Sequence, residues 1–174
     1  TGVNRLSAKD YPENFQTEST DYYVLDELFK KYALRTTGRF IDFGCGKGRV
    51  LFYLHHQFNQ RVVGIELNPT SFSELNENLK NYSNKYPHSE QDFTIYQGYA
   101  EEYQIQAEDT IFYFFNPFSL RIVKKIFENI LDSICENPRE IEIIFYYPNQ
   151  ALVNLIAQLP QIKLYESIQI QGTR

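Results

Sequence analysis

The chain has 174 residues, 43% of them hydrophobic, with 14 Phe and 14 Tyr; this is one domain's worth of core-forming sequence and excludes a disordered or staple-dependent protein. Its 17 basic and 22 acidic residues give a formal charge of -5, which speaks against a bulk nucleic-acid surface. No apolar run reaches the ~18 residues of a membrane span, and two cysteines, Cys45 and Cys135, supply neither a disulfide framework nor zinc spacing, so a cytoplasmic protein without a metal site is expected.

Thr1-Gly2-Val3-Asn4-Arg5 lacks the apolar core of a signal peptide, and with no Met anywhere the sequence is expected to be a piece of a longer chain. Residues 1–20 are polar and aperiodic, with Tyr11-Pro12 and Phe15 as anchors, and are assigned to an N-terminal arm on a domain formed by 21–174. From Asp21, Tyr22, Leu25, Leu28, Phe29 and Tyr32 recur at helical steps, with Ser19, Thr20 and Asp21 as candidate caps and Gly38 beyond the end. A strand, Arg39 to Phe43, runs into a glycine-rich turn and a helix carrying Val50, Leu51, Leu54 and Phe58. The next strand is Arg61 to Glu66, after which Asn68-Pro69 opens a helix with Phe72, Leu75 and Leu79.

Residues 81–92 are polar and read as a surface loop. Strands follow at Phe93 to Tyr96 and Ile111 to Phe115, then a helix from Leu120 to Cys135 with Ile122, Val123, Ile126, Phe127, Ile130, Leu131 and Ile134 on one side. Glu140 to Tyr147 is a fifth strand, Ala151 to Leu159 a short helix and Ile162 to Ile170 a sixth strand. Near-continuous apolar strands alternating with helices indicate an α/β fold, a mostly parallel sheet of about six strands with helices on both faces.

The most informative segment is Asp42-Phe43-Gly44-Cys45-Gly46-Lys47-Gly48-Arg49-Val50-Leu51. A strand, a glycine turn and a helix start place a ligand outside the strand's carboxyl end. The spacing of Gly44, Gly46 and Gly48 puts Arg49 where a dinucleotide fingerprint has its third glycine, and Ile41 and Gly48 break a P-loop. Both phosphate motifs therefore fail. A second acidic residue, Glu66, ends the following strand, one βαβ unit on.

An acidic residue followed by G-x-G-x-G resembles the first motif of class I S-adenosylmethionine-dependent methyltransferases. That resemblance implies a Rossmann-like methyltransferase sandwich and S-adenosylmethionine as cofactor. Asp42 would lie near its ammonium group, with Gly44, Cys45, Gly46 and Gly48 wrapping the methionine end. Glu66 would accept both ribose hydroxyls and Leu67 would lie against the adenine, with Tyr99 and Ala100 as adenine-side neighbours where many relatives carry an Asp. Thr20 is read as an N-cap or as part of an anion site for the cofactor carboxylate.

Asn116-Pro117-Phe118 after the fourth strand is similar to the Asn/Asp/Ser-Pro-Pro-aromatic motif of amine methyltransferases, with one proline fewer. By that resemblance Asn116 and the Pro117 carbonyl orient an amine acceptor, Asn116 also lies beside the cofactor, and Phe118 and Tyr147 wall the acceptor pocket. A closer likeness, to a largely uncharacterised bacterial group, spans nearly the whole chain through Ser19-Thr20-Asp21-Tyr22, Gly44 to Leu51, Asn116 to Phe118 and Tyr146-Tyr147-Pro148-Asn149.

The reading is methyl transfer from S-adenosylmethionine to an amine nitrogen of a protein lysine or a small molecule. A catalytically silent S-adenosylmethionine-binding module and a nicotinamide-dependent oxidoreductase are the alternatives. The sequence names neither the acceptor nor the oligomeric state. His55, His56 and His88 are expected at the surface, Cys45 as small-space filler, and Glu101 and Glu102 solvated.

Overall fold

The computed structural model describes residues 20–115 and 118–170. The elements follow in chain order: α1 Tyr22–Lys31, β1 Arg39–Phe43, α2 Arg49–Phe58, β2 Arg61–Glu66, α3 Pro69–Lys85, β3 Phe93–Gln97, β4 Asp109–Phe115, α4 Leu120–Glu136, β5 Glu142–Tyr146 and α5 Gln150–Ile156. Asn116, Pro117 and nearly all of the expected N-terminal arm lie outside the described residues.

The five strands form one parallel sheet in the order β3-β2-β1-β4-β5. Alternation along each strand divides the core in two. Phe40, Val62, Ile111 and Tyr113 face α1, α2 and α3, together with Leu25, Leu51, Leu54 and Leu75. Ile41, Phe43, Ile65, Phe112 and Phe114 face the other way, onto the Ile122, Ile126, Phe127 and Ile130 stripe of α4 and onto Leu152 of α5. Each such side chain contributes about 1.5–3 kcal/mol by burial, which explains why the central strands are apolar on both faces. The chain reverses its direction of travel through the sheet between β1 and β4, and the carboxyl edge at that switch point is where an open α/β sheet receives ligands.

Local chemistry sets the element boundaries. Asn68 caps α3 by accepting from the Thr70 and Ser71 N–H groups at 2.9 and 3.1 Å, and Pro69 takes the first helical position. Ser119 and Asn149 cap α4 and α5 in the same way. Asp109, fully buried at the start of β4, accepts from Arg39, the Tyr103 hydroxyl and the Gln106 N–H, tying β1 and β4 together at the edge opposite the switch-point site.

Several expectations are corrected. The sixth strand does not form: 162–170 is irregular, with Leu164 and Tyr165 almost fully exposed and its Gln169 carbonyl accepting from Lys31. Its hydropathy is compatible with a strand, but a strand exists only through a paired neighbour, and among the described residues β5 pairs only with β4. The polar stretch 81–92 is not a loop: α3 continues to Lys85 and a 3-10 turn spans Ser89–Asp92. Tyr82 and Tyr86, four residues apart, pack their rings at 4.7 Å with a 40° tilt and hold that extension against Phe93 and His56.

His55 is likewise not at the surface. It is buried at the end of α2, with Nδ1 2.8 Å from the Tyr82 hydroxyl and Nε2 3.3 Å from Asp92. Asp21 occupies the N-cap position of α1 without a side-chain capping bond.

Candidate functional site

The site is built at the carboxyl ends of β1 and β2. Gly44, Gly46 and Gly48 have φ of 79, 56 and 86°, so every second residue of the turn after β1 is left-handed, the conformation that an L side chain disfavours. This is why the glycines alternate. The turn is anchored from below: the Gly44 and Cys45 N–H groups donate to the Ile65 carbonyl at 2.9 and 3.0 Å, and Gly48 N–H donates to the Cys45 carbonyl. Cys45 is buried over Gly64, where an added Cβ would come within 2.8 Å of its sulfur; it fills space, as expected. Burial first, then the Asp42 and Glu66 charges, hold its thiol well above the usual range, which removes it as a nucleophile.

Glu66 is the turn's second anchor. One carboxylate oxygen accepts from Gly46 N–H at 2.8 Å and the other from Asn68 N–H at 2.7 Å. Burial raises its pKa, opposed by these backbone donors. Asp42 lies in β1 between Gly64 and Tyr113 by register and is buried; no described residue donates a hydrogen bond to its carboxyl group. Burial, with a smaller push from Glu66, raises its pKa to about 8. Two buried acids therefore face one turn, and one of them has no described donor.

Leu67 is half-buried beside Glu66, Ala100 is buried and Tyr99 is exposed, all at the same edge of the sheet where Gly98 N–H donates to the Glu66 carbonyl. Thr20 is buried ahead of α1, and its hydroxyl lies 2.8 Å from that of Tyr113. Arg49 reaches back from α2 to the Thr20 carbonyl at 3.3 Å and sits over the Tyr22 ring. Lys47 pairs instead with Glu74 on α3.

Across the switch point, Phe115, Tyr146 and Tyr147 form an aromatic run with centroids 4.6 and 5.0 Å apart, and Tyr147 is exposed with φ of 56°. Phe118 is half-buried beside Phe114, Phe145 and Leu152 on the α4 face. Asn116 and Pro117, expected at the acceptor, lie outside the described residues.

Sequence reasoning missed Tyr113. It reads as one more aromatic in the run Ile111 to Phe115, and its only signal is a hydroxyl among phenylalanines, which needs a partner once buried. His55 and His56 lie in the last turn of α2, and His88 stands just before the Ser89–Asp92 turn.

A model of the methyltransferase domain family matches residues 40–136, more than half of the chain. A search of curated proteins found no match. Among solved structures, an RNA methyltransferase from Salinibacter ruber, crystallised with S-adenosyl-L-homocysteine, is 21% identical at a TM-score of 0.55; the alignment covers 67% of this chain and 71% of that one. The glycopeptide N-methyltransferase MtfA, crystallised with S-adenosylmethionine, is 14% identical at 0.53, covering 65% of this chain and 50% of MtfA. At such identity the likeness is one of fold. The chain belongs to the methyltransferase domain family.

The residues present fit S-adenosylmethionine, the cofactor that the sequence resemblance implies. A buried acid with no donor among the described residues suits a cation, and a second acid whose two oxygens each retain a free lone pair suits a diol; neither suits a phosphate.

Proposed function

We propose that this domain methylates an amine nitrogen, with the acceptor held at the carboxyl ends of β4 and β5. The observation that supports the reading is positional: Asn116-Pro117-Phe118 directly follows β4, whose Phe114 is in register with Phe43, the residue before Gly44. In sequence, the acceptor motif follows β4 as the glycine turn follows β1, and β1 and β4 are neighbours in the sheet.

The cofactor supplies an activated methyl group on a sulfonium. Asp42 would hold its ammonium, Glu66 its ribose hydroxyls, and Leu67, Tyr99 and Ala100 the adenine side, while the Gly44–Gly48 backbone lies along its amino-acid end. Asn116 and the Pro117 carbonyl would accept hydrogen bonds from the incoming amine and so turn its lone pair toward the methyl carbon; Phe118 and Tyr147 would wall that approach. Holding the nucleophile in line is the main task when the donor is already activated.

The test is transfer of a labelled methyl group from S-adenosylmethionine to lysine-containing peptides and small amines. Asn116→Ala is expected to lower turnover by 10- to 100-fold while S-adenosylhomocysteine binding changes by less than threefold. Activity confined to hydroxyl acceptors, or an Asn116→Ala variant with unchanged turnover, would overturn the amine reading.

A further inference from the structure

We propose that the groove between α2 and the C-terminal turns of α3 is an oxyanion site gated by a proton on His55. None of His55, His56, Tyr82 and Lys85, which build it, has a part in the methyl-transfer reading above.

His55 is buried, and its two partners fix its tautomer. Nε2 lies 3.3 Å from a carboxylate oxygen of Asp92, and Nδ1 lies 2.8 Å from the Tyr82 hydroxyl. A carboxylate only accepts, so in the neutral ring the proton sits on Nε2 and Nδ1 is an acceptor. The Tyr82 hydroxyl then donates to Nδ1. Burial, with the neighbouring Tyr86, raises the Tyr82 pKa, so the phenol keeps its proton and must always place it somewhere. A proton taken up by His55 turns Nδ1 into a donor and Tyr82 into its acceptor. The phenol proton is thereby turned away from His55 and offered to the groove that Tyr82 lines.

The surroundings decide what the groove takes. The Tyr82 and His56 rings lie 4.7 and 5.4 Å from the Tyr86 ring, and Lys85 Nζ lies 5.3 Å from its centre, so a hydroxyl, an imidazole and an ammonium gather at one place. Lys85 has no acid partner among the described residues. Asp26, the one acid of the groove wall among the described residues, already accepts from the Tyr53 hydroxyl at 2.8 Å. Asp92 is bonded to the other nitrogen of His55, and Phe93 of β3, packed on that ring at 4.9 Å, carries no charge. As the pH falls through the range in which imidazoles gain a proton, about 8 to 5, the groove acquires a donor beside a cation. That pair suits an anion with acceptor oxygens only, standing alone or esterified to a flat group that packs on Phe52 and Tyr86.

The experiment titrates the whole chain with sulfate and with phenyl sulfate, whose charges are constant between about pH 5.5 and pH 8, and follows the His55 ring nitrogens by nitrogen NMR. Near pH 8 the ring proton should sit on Nε2 alone, and near pH 5.5 both nitrogens should carry one. Sulfate should bind about fivefold or more tightly at the lower pH. Tyr82→Phe, which keeps the ring and its packing, should weaken sulfate at least about threefold near pH 5.5 and by less than about twofold near pH 8. Tighter binding of phenyl sulfate than of sulfate would assign the anion to an ester on a flat group, and equal binding to a free oxyanion. A ring proton on Nδ1 near pH 8 would overturn the gate. Sulfate affinity that is absent, independent of pH, or unchanged in Tyr82→Phe near pH 5.5 would overturn the site.

Discussion

Asp42 is the residue on which the electrostatics of the site turn. Its carboxyl group is raised from 3.8 to about 8, by burial and then by Glu66. A carboxyl with a raised folded-state pKa stabilises the fold fully below its unfolded value, near 4, and this contribution is lost as pH rises through about 8. The ligand-free protein should therefore lose stability across that window, and Asp42→Asn should flatten the dependence, as thermal melts at pH 5 and pH 8 would show. A cation beside Asp42 reverses the balance, because only the ionised form attracts it. Binding of S-adenosylmethionine should thus strengthen from pH 6 to 8 and release a proton, measurable as a heat that varies with the buffer's ionisation enthalpy. Glu66 behaves differently, because both its oxygens already accept from backbone N–H groups. Glu66→Gln places an amide N–H₂ against one of those donors and should cost about 1–3 kcal/mol in denaturant unfolding, besides weakening cofactor binding.

At the scale of elements, the turn after β1 was legible in the sequence because its constraint is local. Three alternating glycines answer three left-handed residues, and Gly48 answers a second demand, since a Cβ there would come within 2.5 Å of Leu75 and 2.8 Å of Phe52. Gly48→Ala should destabilise the domain by about 1–3 kcal/mol, read as a lowered unfolding midpoint, through both strain and overpacking. The α2 and α4 stripes were legible for the same local reason, through their helical periodicity. What was not legible depends on partners distant in sequence. Tyr82 and Asp92 enclose His55 from 27 and 37 residues away, so nothing near His55 signals its burial. The segment 162–170 fails as a strand because pairing is a property of the neighbour, and Tyr113 gains its meaning from Thr20, 93 residues earlier.

For the molecule as a whole, the sheet separates a stabilising edge from a binding edge. At the amino edge Asp109 is fully buried and holds Arg39, Tyr103 and Gln106 together. Asp109→Ala strands the Arg39 guanidinium, itself mostly buried, and should cost about 3–5 kcal/mol in unfolding while leaving cofactor affinity in the surviving folded protein unchanged. At the carboxyl edge the same kind of group is placed for ligands instead: Asp42 has no described donor and Glu66 organises the glycine turn. The division follows from parallel topology, which brings every strand's carboxyl end to one side and sets the switch point between β1 and β4.

The central claim is that Asp42 and Glu66 seat S-adenosylmethionine at that edge, and calorimetric titration with S-adenosylhomocysteine tests it most directly. Binding near micromolar, about -8 kcal/mol, with Asp42→Ala and Glu66→Ala each weakening it at least tenfold, is the expected result. A folded chain that binds no S-adenosylhomocysteine, or binds it equally well after both substitutions, would contradict the account.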